Sequence, residues 1–288
     1  MQVKRKIYEG SVAAVASSSA FFSVPVHDVT DEIFIRPVDG TGADATKANC
    51  LTSIGNIAFT IDGNDVVNCS YAQLLDLYTT MGTNVLQNAS SQVVGLNVGR
   101  LFLDNQDVRD AFGFGAANVA NMQIRIECLT LTGVAAFEVY TIRRSISRNL
   151  ETYFRAINYQ QTIGGTGVLS VTTLPKNTND IYYLLSLELG TGGVVAWNKL
   201  RANGSTVTDQ IPESINAAFM NEFQYIHPNT QSCICLCDGS ILSGLPVNNI
   251  TELSADFNFT TAPSENSLPL LAVTLHNPSQ QIVNALLA

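Results

Sequence analysis

Three groups of side chains in this sequence have the types and spacing to do chemistry. Asp104, Asp107 and Asp110 recur every third residue with Asn105 and Gln106 between them, so several oxygens share one short stretch. Hard cations such as Ca2+ are held by shells of such oxygens, which makes this the best candidate cation site; solvated turn residues are the favoured alternative. Asp62 with Asp65, and Asp28 with Asp31 and Glu32 in a loop, are weaker forms of the same pattern. Cys233, Cys235 and Cys237 alternate with Ile234 and Leu236, which on a strand turns all three toward one face. They read as metal ligands or, preferentially, as small buried hydrophobes. His27, His227 and His276 stand at strand ends or beside prolines, and only a fold that gathers distant segments would bring them to one metal.

No motif turns these groups into a catalytic site. The sequence contains no G-x-x-x-x-G-K-[ST], G-x-S-x-G or H-E-x-x-H, and no cysteine pair has C-x-x-C spacing. Gly113-Phe-Gly115 and Gly164-Gly-Thr-Gly167 stop short of G-x-G-x-x-G and read as loops. A carboxylate pair for glycoside hydrolysis is a matter of three-dimensional separation, which a sequence leaves open. The net charge of −9 argues against a dedicated nucleic-acid binder. Charged residues make up only 14% of the chain, so its surface is either polar and uncharged or covered by copies of itself. The basic residues concentrate at Lys4, Arg5 and Lys6 and at Arg143, Arg144, Arg148 and Arg155, whereas the second half is acidic. No apolar run is long enough for a membrane-spanning helix, and the start of the chain does not read as a signal peptide. The default reading is synthesis in a reducing cytosol with free thiols.

The elements that must position these residues come twice. Phe22 to Pro25 is matched by Val171 to Pro175, Ile33-Phe34-Ile35 by Ile181 to Leu185, and the turn Asp62-Gly63-Asn64 by Asn203-Gly204-Ser205. A helical pattern follows each turn, Tyr71 to Met81 and Ile215 to Phe223. Next comes a strand ending in glycine, Val93 to Gly99 and Cys233 to Gly239, and then two alternating segments. These are Met122–Leu129 with Phe137–Ile142, and Leu253–Phe259 with Leu270–Leu275. The repeat of about 130 to 150 residues is far above solenoid periods. Asp62-Gly63 is a strong hairpin signal. Ser70 and Gln73 form a capping box, Tyr71, Leu74, Leu75 and Tyr78 share a helix face, and Gly82 suits the position after the helix. The second helix has Pro212 near its start and Ile215, Ala218, Phe219 and Phe223 as its apolar face. Short β-rich strands divided by Gly, Asn and Thr turns indicate an all-β class, two tandem eight-stranded jelly rolls, each with a short helix. The expected divisions are a mobile basic tail over 1–19, a first jelly roll over 20–148 and a second over 149–288. Arg143 to Arg155 joins them as a strand end or a short helix.

This plan, with the unit Ile57-Ala-Phe-Thr-Ile-Asp-Gly-Asn64 through Tyr71-Ala-Gln-Leu-Leu-Asp-Leu-Tyr78 and its echo from Trp197 to Gly204 through Phe219, resembles a known family. It is similar to the double jelly-roll major capsid proteins of tailless, internal-membrane-containing icosahedral bacteriophages of the corticovirus, tectivirus and finnlakevirus type. The likeness covers nearly the whole chain and rests on architecture rather than a short motif; the chain is short for the family, which implies small loops. The resemblance implies a structural capsid protein without catalysis or a required cofactor, Ca2+ aside. It also implies a homotrimer forming a pseudo-hexagonal capsomer, contacts with neighbouring capsomers and with minor capsid or vertex proteins, and a place in the virion capsid after synthesis in the host cytoplasm. It places the termini toward the internal virion membrane, where Lys4, Arg5 and Lys6 would meet anionic headgroups; a solvated tail is the alternative. Arg143, Arg144 and Arg148 would serve the same face or, preferentially, pair with acids of the second barrel. Two other classes compete: a two-jelly-roll glycan hydrolase of the peptide N-glycanase type, favoured by an acidic pair facing a cleft, and a carbohydrate-binding virion spike, favoured by Trp197 lying exposed in a groove.

Overall fold

Strand pairing follows the repeat read from the sequence. A computed structural model describes residues 4–78, 92–103, 110–176, 179–223, 225–238, 240 and 243–279. The chain forms two compact units, Met1–Ile157 and Asn158–Ala288. Unit 1 holds β1 (Lys4–Ala13), β2 (Ser18–Val24), β3 (Val29–Val38), α1 (Lys47–Ser53), β4 (Ile54–Ile61), β5 (Asn64–Ser70), α2 (Tyr71–Asp76), β6 (Val94–Gly95), α3 (Gly99–Phe102), β7 (Met122–Cys128) and β8 (Ala136–Arg144). β9 (Tyr153–Thr162) begins in unit 1 and ends in unit 2. Unit 2 continues with β10 (Gly167–Val171), β11 (Asp180–Glu188), β12 (Val194–Ala202), β13 (Ser205–Pro212), α4 (Glu213–Glu222), β14 (Gln231–Cys235), β15 (Leu245–Pro246), β16 (Leu253–Thr261) and β17 (Ser267–His276).

The hydrogen-bonded strand orders are β1-β8-β3-β6 and β2-β7-β4-β5 in unit 1, and β9-β17-β11-β14 and β10-β16-β12-β13 in unit 2; β9 also pairs with β5, and the two-residue β15 pairs with β11 outside these orders. Strand for strand these are the same two orders, so each unit is an eight-stranded jelly roll and the chain is a double jelly roll. The correspondence extends to single bonds. Ala14 N–H donates to the Ala135 carbonyl (2.9 Å) just beyond the β1–β8 ladder, and Ile163 N–H donates to the Asn266 carbonyl (3.0 Å) just beyond β9 and β17.

The two hairpin turns show why the repeat was readable. Asp62 and Gly63 have φ of 49° and 81°, Asn203 and Gly204 of 50° and 75°, the two positive angles that a two-residue turn between twisted strands requires. Each first turn residue has a second role. Asp62 Oδ1 accepts the N–H groups of Ala120 (2.9 Å) and Asn121 (2.8 Å), and Asn203 Oδ1 accepts those of Thr251 (2.7 Å) and Glu252 (3.1 Å). The turn therefore clasps the loop that leads into the neighbouring strand, β7 or β16. Asn203→Ala should lose the clasp and place a Cβ-bearing residue without a stabilising side chain at positive φ. A cost of about 2 kcal/mol is expected, read as a lowered urea midpoint, whereas Asn203→Asp should retain most of the stability.

The capping box forms as read: Ser70 Oγ accepts from Gln73 N–H (3.1 Å) and Gln73 Oε1 from Ser70 N–H (3.0 Å). The helix it starts buries Tyr71, Leu74 and Leu75. Met81 and Gly82 lie outside the described residues. In unit 1 Phe59 meets Phe114 edge-on (5.3 Å), and Phe154 stacks on Phe102 (6.4 Å) and meets Phe112 edge-on (5.4 Å). Unit 2 has its own core, with Leu185, Leu187, Phe257, Phe259 and Leu270 at its centre.

The structure corrects two of the expected divisions. Residues 4–13 are not a mobile tail but β1, paired with β8 from Lys4↔Arg144 to Ala13↔Ala136. Small, weakly apolar side chains give little core, yet a strand is held by its backbone ladder, and the partner here lies far away in sequence. The boundary between units falls at Ile157/Asn158, inside β9, rather than at 148/149. Between Arg144 and Tyr153 the joint is neither strand nor helix.

Candidate functional site

The basic residues that the sequence placed on a membrane-facing tail are largely committed to carboxylates of unit 1. Lys4 Nζ lies 2.7 Å from Asp110 Oδ1, and Arg5 pairs with Asp28. Arg143 Nη2 lies 2.8 Å from Glu9 Oε1, and Arg144 Nη2 lies 2.6 Å from Asp31 Oδ1 while its Nε reaches both Asp31 oxygens. Arg148 donates to the Gly113 carbonyl. Pairing thus occurs, but with acids of the first unit and not the second, because β1, β3 and β8 are neighbours in one sheet. Lys6 is exposed and has no ion pair among the described residues.

Of the acid cluster expected in a loop, Asp28 lies in the bend before β3, whereas Asp31 and Glu32 lie on β3 and are fully buried. Burial pushes the Asp31 carboxyl up, against the pull of Arg144. Glu32 sits where the register between β3 and β8 shifts. Its Oε1 accepts the N–H groups of Ile33 (3.0 Å), Leu96 (3.1 Å) and Asn97 (2.8 Å). Its Oε2 takes the Tyr78 hydroxyl at 3.4 Å and faces Arg100 Nε at 3.8 Å. Burial pushes the carboxyl up to about 7, although Arg100 and the three N–H groups pull the other way. This carboxyl bolts the stretch containing β6 and α3 onto β3. Nothing local in the sequence marks Asp31-Glu32 as buried beyond their position between Val29 and Ile33.

Of the candidate cation site, Asp104 and Asp107 lie outside the described residues, and Asp110 is held by Lys4. Asp62 is occupied by the clasp above, and Asp65 accepts from Asn68 Nδ2 (2.8 Å). Among the described residues no group of three or more His, Cys, Asp or Glu side chains has the arrangement of a metal site. Cys233 and Cys237 are buried and Cys235 half-buried, all three with free thiols. β14 ends at Cys235, so the three are not on one strand face; Cys237 Sγ meets the Tyr225 hydroxyl (3.4 Å) and Cys233 Sγ the Ser186 hydroxyl (3.3 Å). Burial holds the Cys235 thiol well above its ordinary range, which favours an inert thiol. The histidines are apart: His227 Nε2 pairs with Glu213 (2.9 Å), His276 Nδ1 with Asp180 (2.8 Å), and His27 is exposed in unit 1. Trp197 is half-buried on β12, opposite Pro212 and Asn258 in the adjoining strands.

The largest departure from expectation is on α4. Ile215, Ala218, Phe219 and Phe223, read as its core face, are all exposed, Phe219 by 51%, while Asn216 and Met220 point inward. Asn216 donates to the Cys233 carbonyl, which fixes the helix in this rotation. Between α4 and β13 lies a groove of about 310 Å³, lined among others by Val207, Asp209, Phe219 and Phe223. In unit 1 the corresponding helix α2 has no exposed residue.

The comparisons with known proteins agree with this architecture. No protein-family profile and no curated protein matches the sequence. Among solved structures, the major capsid protein P2 from bacteriophage PM2 aligns with a TM-score of 0.78 at 13% identity, over 96% of this chain and 99% of that one. A chain of Sulfolobus turreted icosahedral virus aligns with a TM-score of 0.71 at 12% identity, over 99% and 96%. The Faustovirus major capsid protein aligns with a TM-score of 0.63 at 7% identity, over 96% and 90%. The fold is therefore that of the double jelly-roll capsid proteins from end to end.

Proposed function

We propose that this chain is the major structural subunit of an icosahedral viral shell and works by assembly rather than by catalysis. The observation that carries the reading is the duplication itself. Two jelly rolls with the same strand orders fill the described chain, with no third domain, in the plan that viral capsid proteins share over their full length. Three copies of such a chain present six barrels of one type, enough to close a pseudo-hexagonal ring while the two barrels keep different outward contacts. A surface with so few charges suits a subunit whose flanks meet other subunits. The buried Asp31 and Glu32, each with its own partners, the free thiols and the dispersed histidines give little support to a hydrolase, and half-buried Trp197 little to a glycan-binding groove. Of the three cations expected at a membrane, Lys6 alone is left without an ion pair among the described residues. A bacteriophage host and an internal membrane remain part of the proposal through the resemblance to that capsid family.

Light scattering on the purified chain tests the reading. A particle of three times the 31.0 kDa chain mass is expected, with hexagonal outlines in negative stain. A monomer that persists at high protein concentration would refute it.

A further inference from the structure

Among the described residues six strands end the hydrogen-bonded orders, β1, β2 and β6 in unit 1 and β10, β13 and β14 in unit 2, and the way β5 is closed shows how two of them, β1 and β13, fit. In unit 1 the edge strand β5 is capped by the start of β9: Ala156 and Ile157 pair in parallel with Val67 and Asn68, and Arg155 Nε donates to the Asp65 carbonyl at 3.0 Å. Val66, Val67 and Cys69 are accordingly buried. The counterpart edge in unit 2 is β13, which has no such strand beside it among the described residues and no buried residue along its length. The helix that follows it, α4, turns its apolar side outward at the same place.

The strand that would close this edge is also identified by the repeat. β9 stands beside β17 as β1 stands beside β8, and its other edge meets β5. Aligned through the matching Ala14 and Ile163 bonds, Ile7 and Tyr8 take the places of Ala156 and Ile157, and Lys6 takes that of Arg155. Aligned through the two hairpin turns, Thr208 and Asp209 take the places of Val67 and Asn68. Among the described residues β1 has β8 on one side and no strand on the other, and Tyr8 is 54% exposed. Charge agrees with the alignment: exposed Lys6 lacks an ion pair among the described residues, and Asp209 keeps a side chain 66% exposed beside its contact with Lys199.

We infer that β1 of one copy adds in parallel to β13 of a second copy, Ile7 and Tyr8 against Thr208 and Asp209. Lys6 then does for that edge what Arg155 does for β5, and Tyr8 arrives beside the groove under α4. The occupant of the edge is a second copy of this chain, and the contact is heterologous, so it propagates around a ring and closes with it. This inference rests on the shell-subunit reading and specifies its subunit contact.

Hydrogen exchange on the intact chain, compared between dilute and concentrated protein, is the direct test. Backbone amides of both β1 and β13 should gain protection on assembly. Lys6→Glu should weaken association by roughly ten-fold or more, because it sets like charges together, and Asp209→Lys in the same chain should restore much of the loss. Both positions are exposed, so circular dichroism should stay unchanged in both variants. If the wild type assembles while β1 and β13 exchange as in the monomer, or Lys6→Glu assembles normally, the strand contact is wrong and the shell reading stands. Protection of β1 that appears only with anionic phospholipid vesicles, without β13, overturns it in favour of a lipid contact. A wild type that never assembles overturns both readings.

Discussion

Arg144→Met is expected to cost roughly 3–5 kcal/mol of stability at pH 7.5, because it leaves the fully buried Asp31 carboxylate without its cation. Arg144 is bound by more than one contact: its Nε lies 2.9 and 2.8 Å from the two Asp31 oxygens, and its Nη2 lies 2.6 Å from one of them. Gly113 packs so tightly on Asp31 that a Cβ there would come within 2.5 Å of Oδ1, so water has little room to replace the guanidinium. Burial already holds the Asp31 carboxyl above its ordinary value, and without Arg144 it would rise further. The variant should therefore be rescued in part by acid, with a smaller deficit at pH 4.5 than at pH 7.5. Removing both charges, Asp31→Leu with Arg144→Met, should cost less than Arg144→Met alone, since the penalty comes from the orphaned charge rather than from losing the pair. Urea midpoints followed by circular dichroism at the two pH values decide the matter. A single-variant loss below about 1 kcal/mol at both would mean that the pair is solvated and contributes like a surface bridge.

What was legible in the sequence was local and repeated. Asp62-Gly63 and Asn203-Gly204 announce their turns because few residue types accept positive φ, and Ser70 with Gln73 announces a helix start because the two side chains answer each other's backbone. Those signals, found twice in one order, were enough to give two jelly rolls. What was missed depends on partners remote in sequence. β1 is a strand because β8, more than a hundred residues on, offers it a ladder, and its own composition gives no hint of that. α4 shows the limit of periodicity most clearly. The spacing of Ile215, Phe219 and Phe223 correctly finds one helix face, but spacing alone does not say whether that face meets the core or another molecule. Asn216, bonded inward to the Cys233 carbonyl, decides the rotation, and an asparagine is the residue a pattern reading assigns to solvent. The same holds for Asp31 and Glu32: two adjacent acids suggest a loop, whereas Arg144 and the amides of Ile33, Leu96 and Asn97, all remote or set by the fold, hold them in a buried strand.

Glu32 gives the second large expectation, a stability that falls as pH rises toward neutrality. Its carboxyl is pushed from an ordinary value of 4.5 up to about 7 in the folded chain, so between these values the folded state holds a proton that the unfolded state has released. The contribution is fully present below about pH 4.5 and is lost progressively up to pH 7, an interval worth about 3 kcal/mol for one fully buried group. The groups facing it do not reverse this sign. Arg100 Nε is 3.8 Å away, and Tyr78, whose own hydroxyl is held protonated by burial, reaches Oε2 only at 3.4 Å. Glu32→Gln isolates the effect, because the amide keeps an oxygen for the N–H groups of Ile33, Leu96 and Asn97 and cannot titrate. The difference in urea midpoint between wild type and variant should change steadily from pH 4.5 to pH 7, moving in favour of glutamine as the wild-type carboxyl ionises, and flatten above. A difference that stays constant across that range would mean that Glu32 is ionised throughout and that the three amides and Arg100 outweigh its burial. Glu32→Ala should be less stable than either form at every pH, since it releases the stretch carrying β6 and α3 from β3, and that loss separates the clasp from the charge.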